Sequence, residues 1–350
     1  MPTLSQQHRM MAVGTPLGED ALVLQAISGR EAVNELFEYT LDLLAEDPAL
    51  DPDRLLGQPV AVRIQGESGA RFLHGFVAAV ERGGATTSGH VAWRARLVPW
   101  PWLLTLGSDF RIFQNMKVPD IVARVFREHG FSDFDDQRLT EDYPEREYVT
   151  QYRETHWDFV ARLLEQEGIS FHFEHAGDRH VLVLTDSPDG FKDAPLAREI
   201  PYRPRTASDT SGESIASFTQ ARELRTAAFA LASYDFTKPN TPLQGRRVVP
   251  RGYAHAETFE RYDFTLGCSE PAHAERYARL AVEAEQSQQT TIRGEADARA
   301  LAPGTAFKLT DPGSALPADQ AVRYAVTEVV TSARQDPYAT RSGSGGGGGG

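Results

Sequence analysis

Three consecutive segments in the first hundred residues constrain the fold most strongly. They are PVAVRIQG (59–66), ARFLHGFVAAVERGG (70–84) and HVAWRARLVPW (90–100), and each is rich in β-branched or aromatic residues and bounded by glycine or proline. Such runs are typical of antiparallel strands, which bury their apolar face by closing into a barrel or by packing as a sandwich. The chain is therefore predicted to begin with a β domain of one of these two kinds.

Two prolines then interrupt the pattern. Pro99 and Pro101 lack the backbone N–H that a central strand needs, so this segment predicts a corner at which a new unit begins. Trp100 and Trp102 are expected to pack that corner rather than to bind a ligand. In VPDIVARVFREHG (118–130) the apolar residues recur at helical spacing, which predicts an amphipathic helix within an α+β unit.

A second helix and a strand are predicted between residues 155 and 175. Thr155 and Asp158 have the spacing of a capping box, which places the start of the helix, and Gly168 is suited to end it. The following segment, ISFHFEH (169–175), alternates apolar and polar residues as a strand does.

Three histidines in or near this strand are candidates for a metal or acid–base site. His172 and Glu174 share one face of the strand and His175 points to the other, while a turn at AGDR is expected to bring His175 opposite His180. A closed metal site needs about four ligands, and only two can be placed together. We therefore interpret these residues as solvated strand ends and predict no catalytic, cofactor-binding or metal-binding residue.

The last third of the chain returns to β structure. A polar segment at 204–217 predicts a linker, and one helix, with Ser269 as N-cap and Pro271 in its first turn, interrupts the later strands. Two pairs of segments are similar: LLGQPVAVRI with FLHGFVAAVERG, and LAPGTAFKLT with YAVTEVVTSAR. This repeat predicts two related β units. The final SGSGGGGGG (342–350) has the composition of a flexible linker or tail.

Composition excludes several classes of function. The formal net charge of −13 argues against nucleic acid and anionic membranes as partners. Cys268 is the single cysteine, so neither an intrachain disulfide nor a thiolate metal cluster can form. The N-terminus lacks the apolar core of a secretory signal, so we expect folding in the cytoplasm and, if the chain is exported, a route other than that signal.

Two blocks of sequence identify a resemblance. SDFRIFQNMKVPDIVARVFREHGF (108–131) and YPEREYVTQYRETHWDFVARLLEQEGISFHFEH (143–175) closely resemble the N-terminal hub region of VgrG proteins. These are the spike proteins of type VI secretion systems, similar in fold to the tail-hub proteins of contractile phages. The join LVPWPWLLTLGSD and the segment LLGQPV match the family as well.

The resemblance implies a β-rich α+β fold with two related antiparallel β-barrel domains and an α+β domain. Its expected boundaries are 1–105 for the first barrel, 106–203 for the α+β domain, 204–340 for the second barrel with its inserted helix, and 341–350 for a Gly/Ser linker or tail. In this family an OB-fold and a β-helix needle normally follow, so we expect the chain to represent a hub region truncated before them.

The resemblance also implies a function without catalysis. We expect the structural base of a homotrimeric spike, whose six barrels match a hexameric Hcp tube, with effectors or adaptor proteins and baseplate components as further partners and no cofactor. Assembly would be cytoplasmic, followed by export through the type VI apparatus. One alternative is the hub of a phage-like or extracellular contractile particle, and a less favoured one is a metal-dependent hydrolase that uses His172, Glu174, His175 or His180.

Overall fold

The computed structural model describes residues 4–86, 89–204, 212–250, 255, 258–264, 270–310, 323–336 and 338. The described α-helices are α1 (Val118–Glu128), α2 (His156–Glu167) and α3 (Pro271–Ser287). The strands are β1 (Met11–Gly14), β2 (Val23–Ala32), β3 (Glu38–Ala45), β4 (Pro59–Gly66), β5 (Gly69–Ala85), β6 (Val91–Val98), β7 (Ser108–Lys117), β8 (Phe134–Arg138), β9 (Glu145–Thr155), β10 (Ser170–His175), β11 (His180–Thr185), β12 (Lys192–Asp193), β13 (Glu199–Pro201), β14 (Ile215–Arg222), β15 (Ala228–Ser233), β16 (Leu243–Val248), β17 (Glu260–Phe264), β18 (Thr290–Ala296), β19 (Thr305–Thr310), β20 (Arg323–Ala325) and β21 (Glu328–Arg334).

The first hundred residues form most of one antiparallel sheet, in the order β1-β4-β5-β6-β3-β2-β21. The three segments that predicted strands are β4, β5 and β6, and they pair in sequence order. Their alternate side chains point into a common core, as the two-residue period of a strand requires. The predicted β-rich α+β fold is confirmed.

Two buried glutamines bridge β1 and β2 where the sheet curls round on itself. The side chain of Gln6 accepts from the backbone N–H of Val13 at 2.7 Å and from that of Leu24 at 3.1 Å. The side chain of Gln335 donates to the carbonyls of Met11 at 2.9 Å and Leu24 at 2.7 Å. Because buried backbone groups must be satisfied, these amides take the place of the missing strand-to-strand bonds.

The corner predicted at the two prolines is a short 3₁₀ helix, Trp100–Thr105. Trp100 is 1% exposed, and its ring stacks on Phe131 with 4.6 Å between centroids. Its indole N–H donates to the carbonyl of Asp133 at 3.2 Å. The prediction that Trp100 packs the corner is confirmed.

The α+β unit consists of the β7–β9 ribbon with α1 and α2 on one face, and of the hairpin β10–β11, to which β8 adds a parallel strand. The predicted N-cap of α2 is confirmed, since the Thr155 hydroxyl accepts from the backbone N–H of Asp158 at 3.0 Å and Gly168 ends the helix with φ 67°. One continuous cluster of buried side chains runs from the first sheet into this unit.

The last third divides into several small sheets, one of which, β14–β18, begins at Ile215 inside the predicted linker. The segment YAVTEVVTSAR is broken into β20, which pairs with β19, and β21, which pairs with β2 of the first sheet. Helix α3 has Glu270 at its N-cap, and Ser269 lies outside the described residues. The domain boundaries at 105, 203 and 340 stay predictions.

A buried carboxylate joins α3 to the α+β unit. The side chain of Glu167, at the end of α2, is fully buried and accepts hydrogen bonds from Arg146, Arg276 and the Tyr277 hydroxyl. Two of these partners, Arg276 and Tyr277, lie on α3. Since a buried charge needs such partners, this contact fixes where α3 sits.

Candidate functional site

The hairpin β10–β11 pairs His175 directly with His180, as the turn predicted. The expectation of solvated strand ends is wrong, however. His172 and His180 are each 1% exposed, and the His175 side chain is 4% exposed. Only Glu174 is accessible, at 48% of its side chain. Alternation along one strand shows which residues share a face, but it cannot show that other segments cover both faces.

His172 lies apart from the other two histidines, on the opposite face of β10. Gly304, just before β19, covers its ring so closely that an added Cβ would meet the imidazole at 2.1 Å. Neither ring nitrogen has a hydrogen-bond partner among the described residues, and Nε2 lies 3.8 Å from Glu174 Oε1. His172 and Glu174 therefore do not converge with His175 and His180 on one site.

On the other face, three imidazoles form a series of hydrogen bonds. His175 Nδ1 accepts from the backbone N–H of His74 at 3.0 Å, and its Nε2 donates to Glu31 Oε1 at 2.7 Å. His180 Nε2 accepts from the backbone N–H of Trp100 at 2.9 Å, and its Nδ1 lies 2.9 Å from His74 Nδ1. We call these five residues the histidine joint.

The partners fix the tautomers in the histidine joint. A nitrogen that accepts from a backbone N–H carries no proton, so the proton of His180 is on Nδ1 and that of His175 is on Nε2. His180 then donates to His74, whose Nδ1 is the acceptor. Each imidazole is neutral in this arrangement. Both ring nitrogens of His175 and His180, and Nδ1 of His74, have a hydrogen-bond partner.

Glu31 carries the negative charge of the joint and is 3% exposed. It accepts from the Tyr39 hydroxyl at 2.5 Å and from the guanidinium of Arg71, in addition to His175. Burial by itself would raise the pKa of Glu31, but the interactions with Arg71 and His175 outweigh it and hold that pKa at about 2. The carboxylate is therefore ionised throughout the ordinary pH range.

Two of the imidazoles resist protonation. Burial lowers the pKa of His180 to about 2. Burial also lowers the pKa of His74, from its ordinary 6.5. In both cases burial removes the water that would stabilise the protonated ring, and the nearby carboxylates do not make up for that loss.

The histidine joint is built to hold segments together rather than to react. The rings of Phe37, Phe76 and Phe173 pack around His180, with centroids 5.5, 6.1 and 5.8 Å away. Within the described residues, no group of three or more His, Cys, Asp or Glu side chains is placed to hold a metal ion. The joint connects β2 and β5 of the first sheet with the hairpin β10–β11 and the corner at Trp100.

Sequence reasoning missed four residues of this network: Glu31, Tyr39, Arg71 and His74. One signal was available, because His74 interrupts the apolar run of β5. A polar residue in such a run is expected to have a buried partner. His74 and His175, which are hydrogen-bonded to each other, are 101 residues apart in the sequence. No local pattern can therefore identify one as the partner of the other.

Two groups of exposed apolar side chains were also missed. The first, which we call the ribbon face, consists of Phe110, Ile112, Tyr148 and Tyr152 on β7 and β9, each 57–62% exposed. Phe110 and Tyr152 pair across the ribbon with centroids 5.2 Å apart. The opposite face of the ribbon is buried against α1 and α2, through Phe113 and Val149.

The second group, which we call the β17 face, consists of Phe259, Tyr262 and Phe264, exposed by 71%, 66% and 53%. Among the described residues, strand β17 lies at the edge of its sheet and pairs with β15 alone. Exposed apolar groups of this size mark surfaces that contact another macromolecule.

No helix in the part of the chain that the structure describes is long and apolar enough to cross a bilayer.

Comparison with known proteins agrees with this architecture. Residues 30–337 match the family model of the phage tail baseplate hub (GPD). The chain is 41% identical to the type VI secretion spike protein VgrG1b of Pseudomonas aeruginosa over 88% of this chain and 41% of that protein. It is 39% identical to VgrG1c of the same organism over 99% of this chain and 47% of that protein. The chain therefore spans about half the length of the curated relatives it matches.

Solved structures show the same fold. The Escherichia coli c3393 protein, described as a type VI secretion component with structural similarity to the bacteriophage T4 tail proteins gp27 and gp5, superposes with a TM-score of 0.67 at 24% identity, over 91% of this chain and 71% of that one. A tail protein of Neisseria meningitidis MC58 gives 0.62 at 12% identity, over 93% and 92%. The family match, which spans most of the chain, shows that this protein belongs to the phage tail baseplate hub (GPD) family.

Proposed function

We propose that this chain is the structural base of a type VI secretion spike and acts without catalysis. The observation that carries the proposal is the 39–41% identity to VgrG spike proteins over 88–99% of the chain. The histidine joint supports a mechanical role, because its hydrogen-bonding groups satisfy one another and hold two units together. The protein would be assembled in the cytoplasm and exported by the type VI apparatus, with effectors, adaptors or baseplate components as further partners.

The proposed assembly is a homotrimer that docks on a hexameric Hcp tube. A cyclic trimer uses a heterologous interface, in which one surface of each subunit contacts a different surface of the next. The ribbon face and the β17 face are two separate apolar surfaces of one chain, as such an interface requires. We infer that the ribbon face of one subunit packs on the β17 face of its neighbour.

The first test is solution mass by light scattering across a concentration series. We expect a mass of three chains for the natural sequence, and dissociation towards one chain for the double variant Ile112→Ser and Tyr148→Ser. The single variant Tyr262→Ser, in the other face, should weaken the trimer as well. Leu56→Ser is the matched control, because Leu56 is 42% exposed and belongs to neither face.

A mass of one chain at every concentration would contradict the trimer proposal for this chain, although family membership would stand. Trimers that survive both sets of variants would instead reject the two faces as the interface. Binding to purified Hcp hexamers, measured by sedimentation, tests the docking step separately.

A second candidate is the hub of a phage-like contractile particle. The observation that favours it is the likeness to prophage tail proteins, for example the 43 kDa tail protein of prophage MuSo2 from Shewanella oneidensis, with a TM-score of 0.60 at 12% identity. Genes for a type VI sheath and Hcp beside this gene would support the first proposal. Genes for a phage tail tube and capsid would support the second.

A further inference from the structure

The histidine joint lies at the tip of a hairpin, close to water. Residues 176–179, which connect β10 to β11, are exposed, whereas the imidazoles of His175 and His180 directly behind them are buried. The tip can therefore lift from β5 without disrupting the centre of the first sheet. Local openings that expose one part of a fold while the rest stays intact are common in proteins.

Each added proton would replace a hydrogen bond in the joint by a contact between two donors. A proton on His180 Nε2 would face the backbone N–H of Trp100, and a proton on His175 Nδ1 would face the backbone N–H of His74. A proton on His74 Nδ1 would face the proton that His180 already carries. The closed joint accepts none of these protons without losing a bond, whereas an opened joint exposes all three imidazoles to water.

The charged groups around the joint offset this effect only in part. Glu31 favours the cationic form of His180, and Asp133 and Asp178 favour that of His74, yet burial outweighs them at both sites. Arg71 opposes a second cation near Glu31. The titratable or charged groups that face the joint are Glu31 on β2, Tyr39 on β3, Arg71 and His74 on β5, Asp133 before β8, His175 on β10, Asp178 in the turn and His180 on β11.

We propose that the histidine joint is an acid-sensitive latch. It holds the tip of the hairpin β10–β11 and the Trp100 corner on the first sheet while its imidazoles are neutral. Uptake of a proton opens this contact before the rest of the fold unfolds.

The sign of the pH dependence follows from the direction of the shifts. The closed-state pKa values of His180 and His74 are lowered, so their contribution is fully present above the ordinary value of 6.5 and is lost as pH falls below it. The lowered pKa of Glu31 adds a loss only below about 4.5. Between these limits His180, whose closed-state pKa is about 2, raises the opening constant about tenfold per pH unit, and His74 acts in the same direction.

Hydrogen exchange of the Trp100 backbone amide reads the latch directly, because His180 is the acceptor that protects it. Residue-resolved exchange on the full chain at pH 7.5, 6 and 5, corrected for the intrinsic rate, is the measurement. The Trp100 protection factor is expected to fall at least tenfold between pH 6 and 5 and to lie well below that of Leu41 at each pH, because exchange at Leu41, in the centre of the sheet, requires the whole fold to open. Unchanged protection at Trp100, or equal protection at Trp100 and Leu41 at every pH, would overturn the proposal.

Two variants separate the latch from general acid effects. His180→Gln places an amide oxygen where Nε2 accepts from Trp100 but cannot take up a proton, so the tenfold fall in Trp100 protection that His180 contributes between pH 6 and 5 should disappear. His8→Gln removes an exposed histidine and should behave as the natural protein does. An undiminished acid dependence in His180→Gln would refute the latch.

Should His180→Gln fail to fold, the nitrogen shifts of the natural protein decide instead. The latch requires the Nδ1–H tautomer for His180 and the Nε2–H tautomer for His175 at pH 7.5. Any other pair of tautomers would refute it.

Discussion

At the scale of single residues, the buried ring of His172 depends on a glycine, Gly304, that packs directly against it. Gly304 has φ +80°, a conformation that glycine adopts readily, and its Cα lies against the ring of His172. Gly89 has nearly the same φ, +81°, but open space around it. The two positions therefore differ in packing and hardly in backbone conformation.

Replacement of Gly304 by alanine should cost more than replacement of Gly89 by alanine, because only Gly304 also introduces an overlap. We expect a difference of about 1–3 kcal/mol in the free energy of unfolding, measured by urea denaturation of both variants. Equal losses would mean that His172 moves aside without cost and that the close approach has no structural role.

At the scale of secondary-structure elements, α2 and α3 are joined by charge rather than by apolar packing alone. The carboxylate of Glu167 accepts hydrogen bonds from Arg146 on β9 and from Arg276 and Tyr277 on α3. The side chain of Arg276 is only 13% exposed. Burial opposes the cation of Arg276, but Glu167 and Glu141 raise its pKa above the ordinary value. A charge held in this way becomes costly when its partner is removed.

Glu167→Ala should therefore lower the free energy of unfolding by about 3–5 kcal/mol. The matched control is Glu283→Ala, since Glu283 pairs with Arg279 along the surface of α3 and is 52% exposed; its loss should be about 0–1 kcal/mol. Urea denaturation followed by circular dichroism measures both. Similar losses for the two variants would show that the buried pair does not fix α3.

At the scale of the whole molecule, the two ends of the chain complete one sheet. Strand β21 pairs with β2 over seven residues from Glu328 to Arg334, and Gln335 then bridges β1 and β2. The first sheet is therefore incomplete without residues that lie within the predicted second barrel, 204–340.

A chain that ends at residue 322 should lose much of the stability of the first sheet, whereas one that ends at residue 340 should keep it. The expected difference exceeds about 3 kcal/mol, because the shorter chain exposes the edge of β2 and leaves the backbone of Met11 and Leu24 without partners. Urea denaturation followed by tryptophan fluorescence, to which Trp93 in β6 contributes, provides the measurement. Identical midpoints would mean that β21 is a peripheral addition.

Sequence by itself determined the local elements and the family. The capping residues Thr155 and Gly168, the corner at Trp100 and the pairing of β4, β5 and β6 follow from rules that act within a few residues. Only the tertiary structure decided that His175 and His180 are buried, that Glu31 and His74 complete their network, and that β21 crosses into the first sheet. These outcomes depend on contacts between residues about 80 to 300 positions apart, and the periodicity of one segment contains no information about which distant segment will cover it.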